Sequence, residues 1–199
     1  MNHVQFRPIV ISAWARKNAG PMPLQIYQIT HAVSSHESSL GQGWKESGKG
    51  SNNTGAVQSS NCDPNVSFEY TDTHPNPDGT STPYRVCFKK YASLEDGVLD
   101  QIRYQFKEPE TFQAALRGDL WGVAAGMRKS GYYEGVGKTQ DDRIRSYYVA
   151  LERNLKKIAA AMQEPNLFIA APVPTAVTAN ASSIATLIAG VSILRWFLK

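Results

Sequence analysis

Pro23-Leu24-Gln25-Ile26-Tyr27-Gln28-Ile29-Thr30-His31-Ala32-Val33-Ser34-Ser35-His36-Glu37 carries Ile26, Ile29 and Val33, followed by Leu40, at the spacing that puts side chains on one face of a helix. Glu37 falls four residues after Val33, so its carboxyl lies on the same inward face, just before a Gly-rich break. A carboxylate on the dry side of a helix end is costly, because desolvation disfavours its charged form. That cost makes sense if the group must stay protonated near neutral pH in order to donate a proton, as the acid of a glycosidase does.

Around this helix the chain has the make-up of a folded protein. Its 199 residues are 42% hydrophobic and 19% charged, enough for one domain of ordinary size plus an appendage. The net charge of +4 favours anionic surfaces: nucleic acid, acidic lipid or the bacterial wall. No dense basic stripe or nucleic-acid motif is present, so nucleic acid ranks last. The start, Met1 to Pro8, has no sustained apolar core or small-residue cleavage site and is not read as a secretory leader.

Four parts are expected: a lead-in segment over residues 1–22, a main domain over 23–164, a Pro/Ala linker over 165–175 and an apolar helix over 176–199. Within the main domain, Val66, Phe68 and Tyr70 alternate with Ser67, Glu69 and Thr71, and Tyr84, Val86 and Phe88 alternate with Arg85, Cys87 and Lys89. The turn-forming run Pro75-Asn76-Pro77-Asp78-Gly79 lies between them, so the pair reads as a β-hairpin. Helices are expected from Ser93 to Phe106, from Pro109 through Leu116, over 119–130 and from Asp141 to Met162. One hairpin among helices is an α+β plan. The tail is too short and diluted for a full bilayer span, and Arg195, Trp196 and Lys199 suit an interfacial anchor. It is expected to meet a membrane or virion proteins.

Cys62 and Cys87 flank the hairpin, and two readings stand open: one loop-closing disulfide, or two unpaired buried thiols in a reducing compartment. No histidine set at ligand spacing points to a metal. Gly135-Val136-Gly137-Lys138-Thr139 is no phosphate loop, because Tyr132 stands where the first glycine belongs and no strand precedes it.

The stretch His36-Glu37-Ser38-Ser39-Leu40-Gly41 resembles the Glu-Ser/Thr-Gly-Trp-Gly signature of the glucosaminidase family of peptidoglycan hydrolases, of flagellar rod-associated and autolysin type in the lysozyme superfamily. Asn52 to Gln58, Phe68-Glu69-Tyr70, Phe88 to Asp96 and Gly131-Tyr132-Tyr133 are similar to further family segments, in the family's order. Leu40 departs from the family Trp, and the family's Phe is missing from Asn53-Thr54-Gly55. The resemblance implies a lysozyme-like, mainly helical fold with one hairpin. It implies Glu37 as general acid and Glu69 as assisting carboxylate, with Tyr132, Asn53 and Tyr70 binding substrate and no metal or organic cofactor. The expected reaction is cleavage of β-1,4 bonds of the cell-wall glycan, by an endo-β-N-acetylglucosaminidase or a muramidase, on a phage virion or in the bacterial envelope. The alternatives are a lytic transglycosylase and a structural virion or envelope protein that binds wall glycan without efficient cleavage.

Overall fold

The computed structural model describes residues 1–43, 51–76 and 80–168. The apolar helix expected over 176–199, most of the linker before it and the turn at 77–79 lie outside the described residues. The elements run α1 (His3–Ala15), α2 (Leu24–Ser38), β1 (Ser67–Pro75), β2 (Ser81–Lys89), α3 (Leu94–Gln105), α4 (Pro109–Leu116), α5 (Leu120–Lys129) and α6 (Gln140–Met162). This is the α+β arrangement expected from the hydrophobic pattern: helices around one antiparallel hairpin.

Local chemistry sets the helix ends. Asn2 caps α1 and Thr139 caps α6, each in a reciprocal box with the residue three further on, Gln5 and Asp142. Ser93 and Asp119 accept from the amides of Asp96 and Gly122 at the starts of α3 and α5. Pro109 opens α4 at a position where its missing N–H costs nothing.

α2 is the central post. Ile26 through Ser34 are all buried, so this helix is covered on every side rather than along one stripe. The lead-in segment is itself helical: α1 buries Phe6, Val10, Ala13 and Trp14 in the core that α2 shares with α3 to α6. Several polar side chains inside this core pair with one another or with the backbone: Ser34 donates to Gln101, which donates to the Thr30 carbonyl, and Ser35 donates to Asn154. Gly97 lets α3 lie directly on the loop after α2, since a Cβ there would sit 1.9 Å from the Asn52 carbonyl oxygen.

The hairpin packs separately. Its register pairs Phe68 with Phe88, Tyr70 with Val86 and Asp72 with Tyr84, which places these side chains on one face. Phe68, Val86 and Phe88 form a small second core, with Ala56 and Tyr70 against it. The opposite face carries Cys87, disulfide-bonded to Cys62 with the two Cα atoms 5.3 Å apart. The Val57–Ser59 segment runs along β2 as a partial third strand, with Lys89 donating to the Val57 carbonyl and Ser59 to that of Cys87.

Candidate active site

Between the hairpin and the helical body lies a groove of about 640 Å³. Gly55–Gln58 and the inner face of the hairpin form one wall; the α5–α6 loop and the first half of α6 form the other. Glu37 sits between them, on the last turn of α2. The chain doubles back there: Ser39, Leu40 and Gly41 take consecutive positive φ values of 49°, 63° and 77°. Only the third is a glycine, and a Cβ on it would meet Leu94 at 2.8 Å. The Ser38 hydroxyl donates to the Thr54 carbonyl at 2.7 Å and accepts from the Gly41 amide at 2.8 Å. Buried Leu40 adds an apolar anchor. The helix end bearing Glu37 is therefore fixed by a side-chain lock and a hydrophobic plug.

Part of Glu37 stays in contact with the groove, while protein atoms surround the rest. Burial pushes its carboxyl from the ordinary 4.5 up to about 7; the hydrogen bond from Tyr147 opposes that rise and the negative charge of Asp72 adds to it. The Tyr147 hydroxyl donates to Glu37 Oε1 at 2.6 Å. Tyr147 is held in turn by Tyr133, stacked at 3.8 Å between centroids and 8° between planes, and by the edge of His36. Tyr132 lines the groove and donates to the Gly55 carbonyl at 2.8 Å, bridging the two walls behind the carboxyl. A Cβ on Gly55 would meet that hydroxyl at 2.6 Å, so the contact requires glycine. Burial and the Glu37 charge keep Tyr132 and Tyr147 well above the ordinary phenol range, so both are neutral donors.

Three residues expected at the site lie elsewhere. Glu69 does not line the groove: it lies on the hairpin face opposite Phe68 and Tyr70, half exposed and 3.3 Å from Arg85. The hairpin carboxylate that lines the groove is Asp72, aligned with Tyr84, whose hydroxyl donates to it at 3.3 Å; Glu134 of the α5–α6 loop lines the groove as well. Asn53 is fully buried: its amide bonds the Val57 and Lys89 carbonyls and accepts from the Val57 amide, so it fastens the loop. Tyr70 packs on Phe88 in the hairpin core. His36 lines the groove, whereas His31 is wholly buried, bonded to Tyr27 and His3. The alternation of β1 carried the signal for Asp72, since it shares the parity of Phe68 and Tyr70. Tyr147 carried none, being one of two adjacent tyrosines on α6. Among the described residues no group of three or more His, Cys, Asp or Glu is placed to hold a metal ion.

No family model matches the chain, and no curated protein matches it. Among solved structures, the glycoside hydrolase domain of FlgJ from Salmonella typhimurium is similar at 16% identity, covering 82% of this chain and 92% of that one, with a TM-score of 0.50. The catalytic domain of the autolysin Auto from Listeria monocytogenes is 14% identical over 83% of each chain, with a TM-score of 0.49. A peptidoglycan hydrolase mutant from Sphingomonas sp. A1 is 15% identical over 78% of this chain and 99% of that one, at 0.45. At such identities the likeness to the FlgJ domain establishes shared architecture: the α+β fold is lysozyme-like.

Proposed function

We propose that this chain is a glycoside hydrolase that cuts β-1,4 bonds of the peptidoglycan glycan strand, with Glu37 as general acid and Asp72 as the second carboxylate. The observation that carries this reading is a carboxyl held near neutrality on the floor of an open groove, with another carboxylate on the facing wall. Protonated Glu37 gives its proton to the bridging oxygen as the glycosidic bond breaks. Positive charge then builds on the sugar ring, where the Asp72 carboxylate stabilises it or activates water. The Tyr147 hydroxyl bonds the carboxylate that Glu37 becomes, so the proton leaves an already solvated acid.

Shared architecture with a domain described as a glycoside hydrolase raises the prior for this chemistry. The choice between a glucosaminidase and a muramidase belongs to product analysis, as do the anhydro-sugar ends a transglycosylase would leave. A place on a phage virion or at the cell envelope is part of the same proposal. It rests on the apolar composition of residues 176–199 and the net charge of +4.

The test is Glu37→Gln, which keeps the shape and the bond from Tyr147 but has no proton to give. Zymograms on purified walls should clear with the unsubstituted chain and stay opaque with the variant. Equal clearing by both removes Glu37 from the chemistry; clearing by neither overturns the hydrolase reading.

A further inference from the structure

The groove has unlike ends. Along β1, the pair Ser67–Lys89 marks the base of the hairpin and the pair Asp72–Tyr84 lies five residues further toward its tip, about 16 Å at strand spacing. The tip end is acidic: Asp72 and Glu134 line it, and both charges act on Tyr84 between them. The base end is built from the last turn of α3. There the Tyr104 ring has Lys89 Nζ 4.9 Å from its centroid and the Arg103 guanidinium carbon at 4.8 Å. Lys107 lies beside it and is the only lysine or arginine among the described residues that line the groove. Asp100 is the counter-charge, and it bonds Lys89 at 2.8 Å and Arg103 at 3.0 Å. Glu108, next to Lys107 in sequence, is drawn off to Lys129 at 3.3 Å. Three cations thus gather around one carboxylate, and the ammonium on the groove has no carboxylate of its own among the described residues.

We infer that this end of the groove, Lys107 beside the Tyr104 ring with Lys89 and Arg103 behind it, is a subsite for a carboxylate of the peptide stem carried by the glycan strand. The inference rests on the glycan-hydrolase reading. Sugar hydroxyls are neutral and give a cationic end nothing to pair with, whereas stem peptides end in free carboxylates. Such a substituent is repelled from the Asp72 end and attracted to Lys107, which favours a register of the strand across Glu37 that sets a stem carboxylate at Lys107.

Binding of soluble glycan strands to Glu37→Gln chains, with and without Lys107→Ala, tests it. Two probes are compared: strands with native stem carboxylates and the same strands with those carboxylates converted to amides. The Glu37→Gln chain should hold native strands about fivefold more tightly than amidated ones, as an exposed ion pair allows. Adding Lys107→Ala should bring that ratio toward one, and high salt should do the same. A ratio of one in the Glu37→Gln chain, or an undiminished ratio after Lys107→Ala, overturns the subsite. Cleavage by the unsubstituted chain is scored separately, so failure of the hydrolase reading and failure of this one leave different records.

Discussion

Replacing Glu37 by glutamine should make the protein more stable in alkali while stopping its chemistry. A carboxyl whose midpoint is raised by folding binds its proton more tightly in the native chain than in the unfolded one. Native stability is then greatest where both states are protonated, and it falls as pH rises from the ordinary 4.5 through about 7. The difference corresponds to about 3 kcal/mol by pH 8 or above. Glutamine carries no such penalty and still accepts from the Tyr147 hydroxyl. Glu37→Gln and the unsubstituted chain should therefore unfold alike at pH 4, whereas at pH 8.5 the variant should be ahead by about 3 kcal/mol. For a domain of this size that is about 6–12 °C in Tm. Thermal or urea unfolding across pH 4–9 reads the gap directly. A constant gap between the two proteins over that range would refute the claim that Glu37 is held against its charge.

Three further outcomes follow from the same geometry. Tyr147→Phe keeps the ring stack on Tyr133 but removes the bond that lowers the Glu37 midpoint. The alkaline limb of the pH–rate profile should move above about 7, with a rate loss of about tenfold or more. Asp72→Asn should cut turnover at least about a hundredfold, while Glu69→Gln, on the far face of the hairpin, should stay within about twofold; the reverse order would return the second role to Glu69. Reducing the Cys62–Cys87 bridge, which spans 25 residues, should remove about 3.5 kcal/mol on a chain-entropy account, read as a lower Tm with and without a thiol reductant.

Much of the architecture was legible because periodicity survives in single sequences. The two-residue alternation around Phe68 and Phe88 and the stripe from Ile144 to Ile158 each have one apolar side, and each formed as the pattern says. α1 was hidden for the opposite reason: its apolar residues lie nearly all round it, and Pro8 stands inside it. The site was legible only where burial and motif agreed. Glu37 showed as a carboxylate on an apolar face. Glu69 was picked from a short motif, which fixes residue types, whereas the packing of the strand decides which of its carboxylates lines the groove, and that is Asp72. Asn53 drew attention through its likeness to a family segment, yet its amide bonds backbone carbonyls that local sequence does not identify.

The hairpin owes its cohesion to its own three apolar side chains and one covalent bridge, and it makes no extensive contact with any of the described helices. It behaves as a cassette. Its two stems enter beside each other at Ser67 and Lys89, so hairpins of different reach or charge can be grafted there without repacking the helices.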